Sequence, residues 1–348
     1  MGERYALRVA IVAPPYYSLP PRDYGGIELV CHTLAESLME RGHAVTLIGA
    51  GKAQTRASFV ATFDEPQPEG GPGAVRIEMV HAARAARTLA AGDFDVIHDH
   101  TRVGPLTAPS RAAPTVVTVH AALAGPEMGV AELQAVAAWV RPIAVSEAQR
   151  QDAPHIDWAG MVHNGIPLDR YPLVTRKEPF ALYLGRISPY KGIELSIAAA
   201  RAAGRPLVIA GSWTVPAERD YFETRVRPLL GGDVEWVGPV GMADKVDLLG
   251  RAGCLLFPPE WREPFGLVVI EAMACGTPVV ALRRGAVTEL VDDGVTGVVC
   301  GSFDALTAGI EVAAGLLPSE CRAHVERHFT AEAMARGYEQ LYRRVLID

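Results

Sequence analysis

The feature that most constrains the fold of this 348-residue chain lies in its last third, where two short apolar segments flank a polar loop and a helical segment. The apolar residues Cys254 to Phe257 predict a buried strand, which a loop rich in proline and charge follows. The next segment, Phe265 to Cys275, predicts a helix that Gly276 ends and that Pro278 cannot continue. A second apolar strand, Val279 to Leu282, begins at once. Strand, loop, helix and strand in this order build parallel sheets, so an α/β fold is expected.

Two glutamates stand eight residues apart here: Glu263 lies just before this helix, and Glu271 lies inside it. Glu271 has apolar neighbours, and since an unpartnered buried carboxylate is costly, we expect it to accept hydrogen bonds from a bound group. A rise of 1.5 Å per residue separates the two positions by about 12 Å, against roughly 5–5.5 Å in a retaining hydrolase. This disfavours a hydrolase without excluding it. The amides of Gly266, Leu267 and Val268 form an anion site, so a sugar, a diphosphate and a ribose would fit.

These residues, Glu263-Pro-Phe-Gly-Leu and Glu271-Ala-Met-Ala-Cys-Gly-Thr-Pro-Val, resemble the Glu-x7-Glu signature of the retaining glycosyltransferases of family four. The resemblance implies the α/β fold called GT-B, with two Rossmann-like domains facing each other across a cleft. It also implies that Glu263 orients the sugar and stabilises positive charge developing on its ring. Glu271 would bind the ribose hydroxyls, and the amides of Phe265 to Val268 the diphosphate.

A second strand–loop–helix run, Ala181 to Ala203, carries the loop GRISPYKG. Its Arg186 and Lys191 would place two cations beside the free amides of a helix start, which is an arrangement that binds anions. The loop matches the diphosphate-binding loop of the family, so the resemblance implies that both cations neutralise the leaving diphosphate. The resemblance also places the base against the main chain of Gly238 and Val240.

The N-terminal half predicts a Rossmann-like opening of strand, loop, helix and strand. Gly25 and Gly26 begin the helix, but no G-x-G-x-x-G fingerprint is present, so a simple turn stays open. In the family that the chain resembles, this glycine pair approaches the phosphate or the sugar of the donor. Further along, the alternation of Val75 to Val80 predicts a half-buried strand, and His81 to Ala91 predicts a helix.

Three histidines follow strands of this half. His98 and His100 would point to one side of a strand, where polar residues at the cleft are favoured over a metal pair, because a third and a fourth ligand are not evident. His120 ends a buried strand, a position that doubly wound sheets use for ligand contacts. A satisfied structural histidine is the alternative. The resemblance implies that His120 lies beside the transferred sugar.

Domain boundaries follow from the length of the chain and from its prolines. We expect two domains, at residues 1–166 and 180–329, with a linker at 167–179. The resemblance implies that the first domain binds the acceptor and that the second binds the nucleotide sugar. The resemblance implies that a closing helix, residues 330–348, completes the first domain.

Composition restricts partners and compartment. A net charge of −7 without a dense basic stretch argues against nucleic acid. The five cysteines are widely spaced and lack a C-x-x-C pair, so buried thiols in a cytoplasmic protein are expected. The apolar run Val9 to Ala13 is too short for a signal peptide or a transmembrane segment, whereas peripheral membrane contact stays open.

No metal ion and no other cofactor is expected. The acid pair Asp292-Asp293 lies in a glycine turn typical of a surface. Two cations, Arg186 and Lys191, together with about half a charge from a helix dipole would nearly balance a diphosphate.

The resemblance thus implies transfer of a sugar, with retention, from a nucleoside-diphosphate sugar to an acceptor hydroxyl. UDP is favoured as the nucleotide because it is the most frequent one in the family. The favoured acceptor is a small molecule of an antibiotic or other secondary-metabolite pathway, such as that of avilamycin. Glycolipid or polysaccharide acceptors, a nucleotide-sugar epimerase and a non-catalytic nucleotide-sugar sensor stay open. A nicotinamide dehydrogenase is disfavoured because its fingerprint is missing.

Overall fold

The computed structural model describes residues 5–22, 25–70, 73–123 and 130–347, without the side chain of residue 132. The chain divides into two compact units, each built on one parallel sheet. Unit 1 is Met1–Gly165 with Ala331–Asp348, and unit 2 is Ile166–Thr330.

The sheet of unit 1 contains seven parallel strands in the order β3-β2-β1-β4-β5-β6-β7. The strands are β1 Arg8–Val12, β2 Ala44–Gly49, β3 Ser58–Ala61, β4 Val96–Asp99, β5 Thr115–Val119, β6 Arg141–Ala144 and β7 Gly160–Met161. The strand order reverses between β1 and β4, and ligands of such sheets bind outside the carboxyl ends of the strands at this point. The loops that follow β1, β4 and β5 therefore carry the residues of interest.

The first helices of unit 1 are α1 Gly26–Glu40, α2 Ala74–Ala91, α3 Val130–Val136 and α4 Glu147–Asp152. The predicted strand at Val75 to Val80 is wrong, because these residues form the first turns of α2. Their alternating apolar side chains point outward, with Val75 66% and Met79 58% exposed. The buried stripe of α2 follows the helical period instead, at Glu78, His81, Ala82, Ala85 and Leu89.

The sheet of unit 2 contains six parallel strands in the order β10-β9-β8-β11-β12-β13. The strands are β8 Ala181–Leu184, β9 Leu207–Ala210, β10 Val234–Gly238, β11 Cys254–Phe257, β12 Val279–Leu282 and β13 Gly297–Cys300. The order reverses between β8 and β11. The two loops that the sequence singled out follow these two neighbouring strands, and so meet at one edge of the sheet.

The helices of unit 2 are α5 Ile193–Ala202, α6 Pro216–Tyr221, α7 Met242–Arg251, α8 Leu267–Ala274, α9 Val287–Leu290, α10 Asp304–Ala313 and α11 Pro318–His328. After α6 the chain passes into a π-helical turn, Phe222–Val226, and a 3-10 turn, Arg227–Leu229. Pro228, which lacks an amide donor, lies in that last turn and prevents a regular α-helix there.

The last helix, α12 Ala331–Val345, belongs to unit 1 and packs beside α1. Its Tyr338 and Tyr342 are fully buried. The Tyr342 hydroxyl lies 2.6 Å from His98 Nδ1, and the Tyr338 hydroxyl lies 3.0 Å from Thr118 Oγ1. The helix thus satisfies polar groups inside the core of unit 1.

Among the described residues, no helix is long and apolar enough to cross a membrane. All five cysteines are free and buried, at Cys31, Cys254, Cys275, Cys300 and Cys321.

Candidate functional site

The loop between β11 and α8 is fixed by two glycines with positive φ. Gly266 (φ 103°) is the N-cap of α8, and a Cβ there would lie 2.9 Å from the ring of Phe257. Gly285 (φ 55°) lets the loop after β12 press on the main chain of Glu263, where a Cβ would lie 2.1 Å from the carbonyl oxygen. That carbonyl also accepts a hydrogen bond from Ala286 N, at 3.0 Å. The backbone of Glu263 is therefore held from a second loop.

The carboxylate of Glu263 is buried and has two donors on one oxygen. Lys191 Nζ and Trp261 Nε1 each donate to Glu263 Oε2, both at 2.6 Å. The ammonium of Lys191 also lies 4.7 Å from the centroid of the Trp261 ring, on which Tyr190 stacks. The structure thus brings two predicted site residues, Lys191 and Glu263, into direct contact. Trp261 is a member of the cluster that the sequence did not identify.

The Lys191 loop reaches Glu263 because Gly192 lets it approach closely. Gly192 has φ 71°, and a Cβ there would lie 1.9 Å from the carbonyl oxygen of Pro258. The amide of Glu260 donates to the carbonyl of Tyr190 at 2.8 Å. The loops after β8 and β11 are consequently packed main chain to main chain.

Arg186, the second predicted cation, already has a protein carboxylate beside it. Its Nε lies 3.0 Å from Glu218 Oε1, as an ion pair without hydrogen-bond alignment. Glu218 is buried and accepts from Thr214 N at 2.8 Å. The charge balance expected from the sequence left out Glu218, which sits near the start of α6 and faces Arg186 only in three dimensions.

Glu271 is 2% exposed and has its own pair of donors. Tyr171 Oη donates to Glu271 Oε1 at 2.7 Å, and Lys245 Nζ donates to the same oxygen at 2.6 Å. Burial, with this carboxylate beside it, raises the pKa of Tyr171 above its usual range, so the phenol stays a donor. The protein therefore supplies two donors to this carboxylate, which the sequence did not reveal.

The two glutamates thus share one arrangement. Among the described residues, the side-chain hydrogen bonds to Glu263 and Glu271 fall on Oε2 and Oε1 respectively. Each carboxylate therefore has one oxygen that two protein donors anchor and a second oxygen without a donor from the described residues.

Gly238 and Val240, the predicted base contacts, lie at the end of β10. Gly238 (φ 83°) has no atom within 4 Å of where a Cβ would be, and its carbonyl accepts from Gly211 N at 2.8 Å. Gly211 in turn approaches Gly185, whose carbonyl oxygen would lie 1.9 Å from a Cβ. Three strand ends in a row thus carry glycine: Gly211 lets two main chains pack closely, and Gly185 and Gly238 leave open space at this edge of the sheet.

Gly25 and Gly26 mark the start of α1 in unit 1, as the sequence predicts. Gly25 is the N-cap with φ 129°, and a Cβ there would lie 2.9 Å from both Pro21 Cβ and Tyr17 Cγ. The loop after β1 is therefore folded closely over the helix start, in a conformation that L-residues rarely adopt.

Three histidines of unit 1, His98, His100 and His120, form an uncharged cluster. His100 Nδ1 lies 2.8 Å from His120 Nε2, and the ring centroids of His98 and His100 are 4.0 Å apart. Burial lowers the pKa of His120 to about 4. Burial and the neighbouring imidazoles lower the pKa values of His98 and His100 well below the ordinary range. His98 and His100 were expected as cleft residues, but both are buried, and only His120 is partly exposed.

Within residues 5–22, 25–70, 73–123 and 130–347, no three His, Cys, Asp or Glu side chains converge as metal ligands would. In the acid pair 292–293, Asp293 Oδ1 accepts from Val299 N at 2.8 Å. This carboxylate therefore stabilises the turn before β13.

Comparison with known proteins agrees with this architecture. Residues 24–170 match the family model described as Glycosyltransferase Family 4, and residues 169–313 match that described as Glycosyl transferases group 1. The phosphatidyl-myo-inositol mannosyltransferase of Propionibacterium freudenreichii subsp. shermanii is 28% identical over 330 residues, covering 84% of this chain and 81% of that protein.

Two crystal structures extend the likeness to the fold. AviGT4, a glycosyltransferase involved in avilamycin A biosynthesis, has a TM-score of 0.76 at 28% identity, over 98% of both chains. Anabaena Alr3699/HepE, in complex with UDP and glucose, has a TM-score of 0.74 at 19% identity, over 97% of this chain and 100% of that one. The chain is therefore made of a family 4 and a group 1 glycosyltransferase domain and has the GT-B fold of these enzymes.

Proposed function

We propose that this glycosyltransferase transfers a sugar, with retention of anomeric configuration, from a nucleoside-diphosphate sugar to an acceptor hydroxyl. UDP is the proposed nucleotide, and the acceptor is a small molecule of an antibiotic or other secondary-metabolite pathway. The likeness to AviGT4 supports this acceptor class, and the UDP and glucose bound by Alr3699/HepE support the donor.

One observation carries the proposal: Lys191 and Glu263, from loops after two neighbouring strands, are 2.6 Å apart beside the start of α8. A nucleotide sugar presents its anomeric carbon next to its β-phosphate. A carboxylate for the sugar ring and a cation for the phosphate must therefore be adjacent, as these two side chains are. The amides of Phe265 to Val268 would add donors for the phosphate oxygens.

The proposed reaction breaks the bond between the anomeric carbon and the β-phosphate oxygen. The acceptor oxygen then attacks that carbon from the same face, and its proton passes to the departing phosphate. Lys191 and Arg186 offset the charge that develops on the diphosphate, without a metal ion. Glu263 stabilises the positive charge on the sugar ring.

The remaining roles concern binding. Glu271 is proposed to accept from the ribose hydroxyls, and the main chain of Gly238 and Val240 to contact the base. In unit 1, Gly25 and Gly26 are the proposed contacts to the donor, and His120 the contact to the sugar. Because its pKa is lowered, His120 is uncharged at neutral pH and would contact the sugar through a hydrogen bond.

A thermal-shift panel of UDP, ADP, GDP and dTDP tests the donor. A ligand at 100 times its Kd stabilises the folded state by about 2.7 kcal/mol. We expect the largest shift with UDP. A larger shift with another diphosphate would replace UDP and keep the transferase, whereas no shift with any of them would contradict nucleotide-sugar binding.

Product analysis by NMR separates the remaining alternatives. An acceptor glycoside with the anomeric configuration of the donor supports retention, and the opposite configuration contradicts it. Release of a free epimeric sugar without acceptor would indicate an epimerase, and tight donor binding without turnover a sensor. An acceptor panel of polyketide-type phenols, inositol lipids and oligosaccharides decides the acceptor class.

A further inference from the structure

Both glutamates of the donor site are anchored by the same combination of groups. Glu263 Oε2 accepts from an indole N–H and an ammonium, and Glu271 Oε1 accepts from a phenol and an ammonium. The four contacts measure 2.6–2.7 Å. One aromatic donor and one lysine thus converge on a single oxygen in each case.

The two kinds of donor have different physical properties. An ammonium is a compact charge on a flexible stem with three rotatable donors, so it can follow a second anion that arrives nearby. An indole N–H or a phenol O–H belongs to a rigid ring and donates in one direction. The aromatic group therefore determines which oxygen is held, while the lysine supplies the charge.

This difference matters most for Glu263. When a diphosphate binds, the charge of Lys191 is divided between Glu263 and the phosphate. The Trp261 ring lies under the ammonium at 4.7 Å and is itself stacked on Tyr190. Its N–H can therefore keep Glu263 in place while the lysine interacts with the diphosphate.

We propose that Trp261 and Tyr171 are positioning residues of the donor site. Each holds one glutamate by one oxygen, so that Glu263 Oε1 is presented to the sugar and Glu271 Oε2 to the ribose. Trp261 acts on the transfer step, whereas Tyr171 acts on the recognition of a ribonucleotide against its 2′-deoxy counterpart. The inference rests on the proposed function, because it takes the roles of the two glutamates from there.

The test uses two variants that lack the aromatic donor. Tyr171→Phe removes only the hydroxyl, and Trp261→Phe replaces the indole with a smaller aromatic ring that has no N–H. Donor turnover gives kcat and KM, and calorimetry gives the Kd of UDP and of 2′-deoxy-UDP. Trp261→Phe should lower kcat about 10–100-fold and change the Kd of UDP less than threefold. Tyr171→Phe should raise the Kd of UDP about 10-fold, so that this variant binds UDP and 2′-deoxy-UDP about equally well. Its kcat at saturating donor should stay within threefold of the wild-type value.

Matched controls make the same chemical changes elsewhere in the chain. In Trp158→Phe the indole loses a bond to the carbonyl of Ala153, and in Tyr221→Phe the phenol loses a bond to the carboxylate of Glu194. Both controls should leave kcat and both Kd values unchanged. Thermal unfolding of all four variants reports any general loss of stability.

Trp261→Phe should lower kcat and keep the affinity for UDP, whereas Tyr171→Phe should lower that affinity and keep kcat. A merely structural role of the two residues cannot produce this opposite pattern. Equal losses of kcat and of UDP affinity in Trp261→Phe would overturn its positioning role, as would an unchanged kcat. An unchanged preference for UDP over 2′-deoxy-UDP in Tyr171→Phe would overturn the role of Tyr171. If the wild-type protein binds UDP without any turnover, the proposed transfer fails, while the calorimetric comparison still decides the role of Tyr171.

Discussion

The carboxyl ends of the two sheets offer a comparison within one molecule. Both sheets have the same strand order around their first strand, and both place a glycine with positive φ in the loop after it, Gly25 and Gly185. Their side chains differ in charge. The edge in unit 2 carries lysine–carboxylate pairs such as Lys191–Glu263, and the edge in unit 1 carries the imidazole pair His100–His120.

The comparison teaches that the fold fixes where ligand-facing residues stand, while the side chains decide what they can bind. A lysine that is paired with a carboxylate can also interact with a bound anion. Such a pair therefore suits a ligand whose charge changes during the reaction. Uncharged imidazoles suit hydroxyl groups, which carry no charge. The four predictions below test this division between a charged and an uncharged edge.

The largest effect should come from the cations of the charged edge. We expect Lys191→Ala or Arg186→Ala to nearly abolish donor turnover, since one cation and the amides of a helix start then have to balance the leaving diphosphate. Treatment with EDTA should leave the wild-type rate intact. The measurement is donor consumption by metal-stripped enzyme with and without Mg²⁺, with the exposed Arg201→Ala as control. Strict dependence on added metal would contradict the metal-free mechanism and the role of this cation pair.

The next effect should come from the carboxylate beside Lys191. Glu263→Gln keeps the shape of the side chain and removes its charge, and loss of one such electrostatic group typically lowers the rate by about 10²–10³. We expect kcat to fall by this factor while the affinity for UDP changes little. The exposed Glu178→Gln serves as control. A near-normal kcat at saturating donor would remove Glu263 from the mechanism.

A smaller effect should come from Glu271. Removing its hydrogen bonds should cost about 1.5–3 kcal/mol of nucleotide affinity, or roughly 10–150-fold in Kd. Calorimetry of Glu271→Ala with UDP measures this, with Glu320→Ala on the exposed side of α11 as control. Because the substitution leaves Lys245 and Tyr171 without their acceptor, thermal unfolding must first show that the variant is folded. A folded variant with wild-type affinity would refute the ribose role.

The smallest effect should come from the uncharged edge. His120 has a pKa of about 4 in the folded protein, whereas an unfolded histidine has one near 6.5. The unfolded state therefore binds more protons between these values, so the free energy of unfolding should fall as the pH drops from 6.5 toward 4. One such histidine contributes at most about 1.4 kcal/mol per pH unit.

The matching measurement is denaturant unfolding from pH 7.5 to 5. His120→Asn should reduce the acid loss of stability, and the exposed His155→Asn should leave it unchanged. Equal slopes for His120→Asn and the wild type would show that the pKa of His120 is not lowered in the folded protein.

The sequence predicts well those elements that glycine and proline delimit. The strand Cys254 to Phe257 matches β11 residue for residue, and the helix after it differs from α8 by two residues at its start and one at its end. Gly266 and Gly276 permit positive φ, and Pro278 fixes φ and lacks an amide donor. These effects are local, so they do not depend on the rest of the fold. The alternation of apolar and polar residues at Val75 to Val80 led to a wrong prediction of a strand, because the apolar residues lie on the exposed side of a helix.

The anchors of the two glutamates could not be found in the same way. Tyr171 is 100 residues from Glu271 and Lys245 is 26 residues from it. A contact over such a distance depends on the path of the whole chain and leaves no local pattern. The same holds for Arg186 and Glu218, whose ion pair changes the charge balance of the site.

The return of α12 to unit 1 has a consequence for how a ribosome makes this protein. The strands of unit 1 emerge first, but Tyr342, which hydrogen-bonds to His98, emerges only after residues 166–330. At about 5–20 residues per second, that interval lasts roughly 8–33 s. Throughout it, the nascent first unit holds a buried imidazole without its phenol partner and an uncovered face of α1. A premature stop codon at residue 331 would make that unfinished state permanent, in a product that otherwise contains the whole of unit 2.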